Sequence, residues 1–259
     1  MISQSQLKSK YELNSEVVAR AHANIATKRA LVLAVSGHMG SGKDSTAISV
    51  MEELGREYTH LPFAFKLKEE AQEIIDFLWA AEERTTAGAE LAEYQNAPVS
   101  KCEHMVELLW GDVKSGSVKS AYDRVPSNRA ALQYWGTPVR REQDTNYWVK
   151  PSVAASLQAV SLDSPKFVIV TDARFPNEAD AIRDMGGVVV RLDVSREEQL
   201  RRLYDRDRQL PSNEALEHVS ETALDDYSDF DLRVRTDRLS LPTVTELIVG
   251  YVRGMTTTD

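Results

Sequence analysis

The sequence predicts an α/β protein in three layers, a mostly parallel sheet with helices on both faces. Two observations predict it. Short, almost wholly apolar runs of strand length recur at residues 31–35, 166–170 and 188–192, and strands covered on both faces read this way. Stretches with helical spacing separate these runs, and such alternation argues for parallel strands joined by crossover helices.

In chain order, residues 4–29 read as helical, with Leu7, Tyr11, Leu13, Val17, Val18 and Ala21 as a loose apolar stripe. They form an expected extension (1–29) ahead of a main domain (30–259). The first strand is 31–35. The helix after it carries Ile48, Met51 and Leu54 at helical spacing and stops at Gly55. A second short strand is expected at 60–65. The 68–79 helix places Ala71, Ile74, Ile75 and Leu78 on one side. Residues 80–97 carry no clear pattern. The 98–110 helix places Cys102, Met105, Val106, Leu109 and Trp110 on one face and is expected to end at Gly111. Residues 112–127 read as an exposed loop, and 127–135 and 145–162 as helices. After the strand at 166–170, Pro176 opens a helix that the Gly186-Gly187 pair closes. The strand at 188–192 follows. Ser195 and Glu198 then make a capping box for a helix to about 208. A last strand at 232–234 and a last helix at 244–252 complete the pattern. Within the main domain, 66–160 reads as an insertion and 195–228 as a lid.

Composition narrows the function. Of 259 residues, 42% are hydrophobic, and 31 basic against 40 acidic residues leave a net charge of −9. That charge disfavours a polymeric nucleic acid or an anionic membrane as partner, because phosphate repulsion opposes both. The single cysteine, Cys102, excludes an internal disulfide and fits a cytoplasmic protein. Its neighbour His104 lacks the partners a metal site needs. The apolar runs are too short to span a bilayer, and the N-terminal segment has no signal-peptide core.

The motif that carries most chemistry is AVSGHMGSGKDSTA, residues 34–47. It lies where a strand turns into a helix. Gly37, four residues, then Gly42 and Lys43 match the phosphate-loop pattern G-x-x-x-x-G-K-[ST] up to its last place, which Asp44 fills. Gly37, Gly40 and Gly42 let the backbone curl so that the amides of Ser41, Gly42, Lys43, Asp44 and Ser45 face phosphate oxygens. The helix N-terminus behind adds partial positive charge. Lys43 would bridge the outer phosphates of ATP. Asp44 and Ser45 would hold Mg²⁺, directly or through its water. The dinucleotide pattern G-x-G-x-x-G fails here, since Ser45 stands where a third glycine is needed.

Three further stretches belong with this loop. In VIVTDARFPNE (168–178), Asp172 lies just past a buried strand and Arg174 two residues on, at the strand edge where α/β proteins bind ligands. Asp172 would hold the metal shell or orient the attacking phosphate, and Arg174 would neutralise the transferring phosphoryl group. In NRAALQYWGTPVRREQDTNYWV (128–149), Arg129, Arg140 and Arg141 suit bidentate phosphate recognition. Gln133 suits a base edge, and Trp135, Tyr147 and Trp148 offer stacking faces. A core helix with solvated arginines satisfies the same pattern. In QLRRLYDRDR (199–208), Arg202 and Arg206 share a helical face. They are equally legible as mobile cations that close over the loop and as members of an exposed salt-bridged helix. The acidic stretch LEHVSETALDDYSDFD (216–231) matches no ligand spacing and reads as a solvated face.

Taken together, these motifs resemble the phage-type deoxynucleoside monophosphate kinases of the P-loop kinase superfamily. The resemblance spans roughly residues 31–237. It rests on SGKDS (41–45), FAFKLK (63–68), LQYWGTPVRR with Asp144 and Trp148, TDARFPNE (171–178) and HVSE (218–221). Such kinases often carry Asp directly after the loop lysine. The resemblance implies transfer of the ATP γ-phosphate to a deoxynucleoside 5′-monophosphate, with Mg²⁺, in the cytoplasm, and allows a homodimer because many relatives pair. It puts ATP on Gly37–Ser45 and the acceptor on or beside Lys68, Arg129, Gln133, Arg140, Arg141 and Trp148. Asp172 and Arg174 fall at the reaction centre, and Arg202 and Arg206 in the lid. The chain departs from the family in its first thirty residues and near Thr236-Asp237, where the family's Asn is missing. Two other readings share the loop. A dephospho-coenzyme-A kinase type would use Asp172 as a general base for a hydroxyl acceptor. An ATP-dependent switch protein would bind nucleotide without transfer.

Overall fold

The structure is a computed structural model of the chain, described here for all residues except 1, 28, 124, 165 and 255–259. Lys28 of the expected first helix and Arg124 of the expected 112–127 loop lie outside the described residues. The chain divides into two compact units, residues 1–63 with 149–259, and residues 64–148.

The first unit is built on five parallel strands in the order β2-β3-β1-β4-β5. These are β1 (Val32–Ser36), β2 (Tyr58–His60), β3 (Phe167–Val170), β4 (Val188–Asp193) and β5 (Leu232–Arg235). β1 lies at the centre, with Val32 level with Val168 of β3 and Ala34 level with Val189 of β4. Every residue of β1 and β3 is buried, which is why their sequences are apolar without alternation. Successive side chains point to opposite faces. Val32, Ala34, Val168, Val170 and Val189 pack on one face with α1 (Gln4–Tyr11), α2 (Ser15–Ala26), α8 (Val149–Val160) and α9 (Pro176–Asp184). Leu33, Val35, Ile169, Val190 and Leu192 pack on the other with α3 (Lys43–Leu54) and α13 (Leu241–Gly254). The expected three layers are therefore observed.

The N-terminal stretch is two helices rather than one. Glu12 is left-handed at φ 58° and ends α1, and the Asn14 side chain caps α2. Leu7, Tyr11, Val18 and Ala21 lie in the same core as β1. β2 ends earlier than 60–65 because Pro62 has no N–H to continue the ladder; the Leu61 N–H still reaches Ile169 O at 2.9 Å. α10 (Arg196–Asp207) has half its expected capping box. Ser195 Oγ accepts from the Glu198 N–H, but the Glu198 carboxylate turns to Arg201 and Arg202, and the Ser195 N–H donates to Asp237 instead. Two short helices, α11 (Asn213–Glu217) and α12 (Val219–Thr222), lead on to β5.

The second unit is helical: α4 (Phe65–Ala80), α5 (Arg84–Gln95), α6 (Val99–Ser115), α7 (Pro126–Tyr134) and a wide π-helical turn, Trp135–Arg141. Its own core gathers Ile74, Leu78, Leu91, Met105, Leu109 and Trp135. Gly111 does not end α6, which runs on to Ser115 and closes at Gly116, φ 76°. The apolar stripe continues to buried Val113, and that packing outweighs the roughly 1 kcal/mol that an interior glycine costs. α5 carries only a faint pattern because it packs through small residues. A Cβ on Gly88 would stand 3.1 Å from Glu103 Cα of α6.

Candidate active site

The centre of the first unit's site is the turn from β1 into α3. β1 ends at Ser36, whose hydroxyl donates to Ala173 O at 2.8 Å, tying the loop after β1 to the loop after β3. Gly37, Gly40 and Gly42 have φ of 154°, 79° and 91°. At Gly37 the need is also steric, since a Cβ there would lie 2.7 Å from Leu192 O. Ser41 N donates to His38 O at 3.1 Å, closing the curl. Gly42 is the N-cap of α3 and has no side chain to cap it. The first N–H groups of any helix have no intrahelical acceptor, so the amides of Lys43, Asp44 and Ser45 are left facing outward. The buried Ser41 hydroxyl also lacks a hydrogen-bond partner. A curled backbone with uncapped amides and an unsatisfied hydroxyl fits an oxyanion of phosphate.

The back of the loop is held from the 195–228 segment. Gln199 Nε2 donates to Met39 O at 3.0 Å, and Arg202 donates from Nη1 to Ser41 O at 3.3 Å and from Nη2 to Thr236 O at 2.7 Å. Arg202 also pairs with Glu198 at 2.7 Å. Of its two expected readings, a mobile cation or a member of a salt-bridged helix, the structure shows Arg202 salt-bridged and tied to the loop, with Thr236 Oγ1 donating beside it to Ser41 O at 3.4 Å. Arg206 is exposed, pairs with Asp207 at 2.5 Å, and feels the charge of Asp44. Gly40 lies under α10, where a Cβ would meet Leu203 at 3.1 Å.

Lys43 is buried and its ammonium folds back to His38 O at 3.4 Å. Burial, with help from the Arg174 charge, pushes it down to about 8; Glu221, Asp44 and Asp172 oppose that. Asp172 accepts the Phe63 N–H at 2.7 Å. Arg174 pairs with Glu221 and donates to Ser220 O at 3.2 Å, while its backbone N–H donates to Glu178 at 2.7 Å. Burial would lower the Arg174 guanidinium, but Glu221 outweighs it and raises it. The structure thus brings Lys43, Asp172, Arg174 and Glu221 into one electrostatic cluster, with Asp44 and Ser45 exposed on the first turn of α3.

Glu221 corrects the reading of residues 216–231 as a solvated acidic face. It is buried, and it lies three residues before buried Leu224, on the side that turns inward. That spacing was the signal available in the sequence. Burial alone would raise its carboxyl, yet Arg174, Lys43 and the Met39 N–H hold it below the ordinary range. Asp225 is not free either: it pairs with Arg191 and with His38 of the loop, both at 2.7 Å.

In the helical unit the expected acceptor residues separate into two kinds. Arg140 is buried. Its Nε pairs with Glu70 at 2.9 Å, its Nη2 donates to Gln95 O and Oε1 at 3.0 Å, and its plane lies over the Trp135 and Tyr147 rings. Trp148 is buried too, donating to Gly136 O at 2.9 Å with Tyr147 edge-on to its ring. These two serve the core: Arg140 spends its polar groups on Glu70 of α4 and Gln95 of α5, and Trp148 spends its N–H on the π-helical turn. Glu70 also accepts from Trp135 Nε1 and the Tyr147 hydroxyl, and burial with that bond pushes the Tyr147 phenol up to about 12. Arg129 on α7 is exposed and Gln133 half-buried. Arg141 donates to Thr145 O at 3.2 Å, and the Lys68 ammonium sits 4.4 Å over the Tyr122 ring.

Among the described residues no group of three His, Cys, Asp or Glu side chains forms a metal cluster. Mg²⁺ rarely asks for one; it is held by one or two carboxylates plus phosphate oxygens and water. Asp44 and Ser45 fit that pattern. No described helix is long and apolar enough to cross a membrane.

No family model matches the sequence, and no curated protein matches it. Solved structures similar to the chain include a gluconokinase from Sinorhizobium meliloti 1021, at 17% identity over 87% of this chain and 93% of that one, with a TM-score of 0.42. Shikimate kinase from Aquifex aeolicus is 13% identical over 88% of this chain and 100% of that one, with a TM-score of 0.42. Shikimate kinase from Acinetobacter baumannii, in complex with shikimate, is 13% identical over 91% and 99%, with a TM-score of 0.41. These likenesses are too distant to carry an activity or a substrate to this chain.

Proposed function

We propose that the protein is an ATP-dependent phosphotransferase, and specifically a kinase that passes the γ-phosphate of ATP to a deoxynucleoside 5′-monophosphate. One observation carries the reading. The curled, uncapped loop at the end of the central strand has a buried cation, Lys43, folded back toward the loop's own His38 carbonyl, with Arg174 and Asp172 close enough to act on its charge. A buried ammonium pushed down to about 8 is poorly solvated by the protein alone, so a phosphate anion is its natural partner.

The loop amides and Lys43 bind and orient the triphosphate. Asp44 and Ser45 would hold Mg²⁺, which when bound neutralises phosphate charge. Arg174 faces the transferring group and offsets its charge. Asp172, held by the Phe63 N–H, keeps its carboxylate at the strand edge. Arg129, Gln133, Arg141 and Lys68 are the residues offered for the acceptor. An acceptor phosphate is already anionic at neutral pH, so no strong general base is needed. The barrier is the approach of two anions, which alignment and fixed cations lower.

The test is ADP release by the full-length protein with ATP and Mg²⁺ across an acceptor panel: the four deoxynucleoside monophosphates, dephospho-coenzyme A, and no acceptor. Release that needs a deoxynucleoside monophosphate, and is lost in Lys43→Ala, is the expected result. Release only with the hydroxyl acceptor overturns the substrate assignment. Tight ATP binding with no acceptor-dependent release overturns the enzyme assignment.

A further inference from the structure

The buried acid of the 216–231 segment has a geometry that structural packing alone does not require. The Glu221 side chain is 3% exposed and lies between two parts of the phosphate-binding apparatus. Its Oε2 accepts the Met39 N–H at 2.8 Å, fixing the loop at the turn between His38 and Gly40. Its Oε1 pairs with Nη1 of Arg174, and the same Nη1 donates to Ser220 O at 3.2 Å. Both contacts fall on one end of the guanidinium. Among the described residues no protein acceptor meets Nε or Nη2 of Arg174. Those two nitrogens form the edge of the fork that binds an oxyanion bidentately. Arginine has many rotamers, and an anchor at one end removes most of that freedom.

We infer that Glu221 is a positioning residue: it locks the phosphate loop at Met39 and turns Arg174 so that the Nε–Nη2 edge presents itself to the phosphoryl group. The part concerning Arg174 rests on the phosphotransfer reading above; the part concerning Met39 does not. Glu221 touches neither substrate in this scheme and acts through the two groups it holds. A buried carboxylate is costly unless its oxygens are met by charge and hydrogen bonds. Here the backbone amide and the guanidinium meet them, so the carboxylate is stable only while both stay in place. Two elements far apart in the chain, the loop after β1 and the loop after β3, are thereby tied through one side chain.

Glu221→Gln keeps an acceptor for the Met39 amide and removes the charge that steers Arg174. Its kcat should fall ~10–100-fold while the KM for ATP moves less than about threefold, since an interaction made in the transition state is lost. Arg174→Ala should cost more. The double variant should be no slower than Arg174→Ala, because the acid acts through the arginine. Effects that multiply independently overturn the inference, as does a kcat for Glu221→Gln within about twofold of wild type. Amide exchange tests the other half without any turnover. In Glu221→Ala the amides of 38–42 should exchange at least ~10-fold faster, and in Glu221→Gln they should not. Unchanged exchange in Glu221→Ala overturns the loop lock. Should the wild-type protein transfer phosphate to no acceptor, the functional reading fails, while the exchange measurement still decides whether Glu221 holds the loop.

Discussion

Gly37 gives the sharpest test of the loop. Replacing it by alanine asks a side chain to adopt φ 154° and puts a Cβ 2.5 Å from Ser41 Oγ and 2.7 Å from Leu192 O. The hydroxyl can rotate away. The carbonyl cannot, because Leu192 is in β4 and is 1% exposed. A strained backbone position costs ~1–3 kcal/mol and overpacking a further ~1–3 kcal/mol. About 4 kcal/mol in all corresponds to a fall in Tm of roughly 8–16 °C for a unit of this size. Gly250 is the matched control within the same unit. It is exposed in α13, and a Cβ there meets nothing within 4 Å. Gly250→Ala should therefore gain ~0.5–1 kcal/mol by restricting the unfolded chain. Thermal unfolding of both variants, with and without ATP, is the assay. Gly37→Ala melting within about 2 °C of wild type, or still raised in Tm by ATP as wild type is, would refute the steric argument for the loop.

Arg140→Ala should destabilise the helical unit by ~3–5 kcal/mol, because it strands the Glu70 carboxylate, 15% exposed, without its guanidinium. Arg140→Lys should recover little, since an ammonium cannot reach Glu70 and Gln95 together. A loss under ~1 kcal/mol in denaturant unfolding of Arg140→Ala would return that residue to the acceptor site. The pH dependence of ATP binding follows from Lys43, whose ammonium burial pushes down to about 8. Below that value the cation is present; above it the proton leaves and the phosphate loses its partner. Affinity measured by calorimetry should hold to pH 8 and then fall, approaching tenfold per pH unit. A flat profile to pH 10 would exclude Lys43 as the phosphate ligand.

Much of the architecture was legible because it follows from local chemistry. A strand covered on both faces is almost wholly apolar, so the runs 31–35 and 166–170 announced the strands observed at Val32–Ser36 and Phe167–Val170. A backbone that must curl needs glycine, so Gly37, Gly40 and Gly42 with Lys43 marked the loop before any contact was known. Where local signals misled, a distant neighbour had outweighed them. Gly111 reads as a stop, but α6 continues because Val113 packs into the core beyond it. Arg140 and Trp148 read as ligands because arginine and tryptophan serve ligands and cores alike. Only the positions of Glu70, Gln95 and Gly136 reveal which task they have here.

The sequence by itself determined the layered α/β plan and the seat of the glycine-rich loop, because both depend on the period of apolar residues and on backbone freedom, which neighbours along the chain express. Tertiary structure alone decided which charges are spent. Arg202 meets Ser41 O across 161 positions, and Glu221 meets the Met39 amide across 182. A charged group's role is set by the partner that replaces its water, and for these side chains that partner is brought near only by folding.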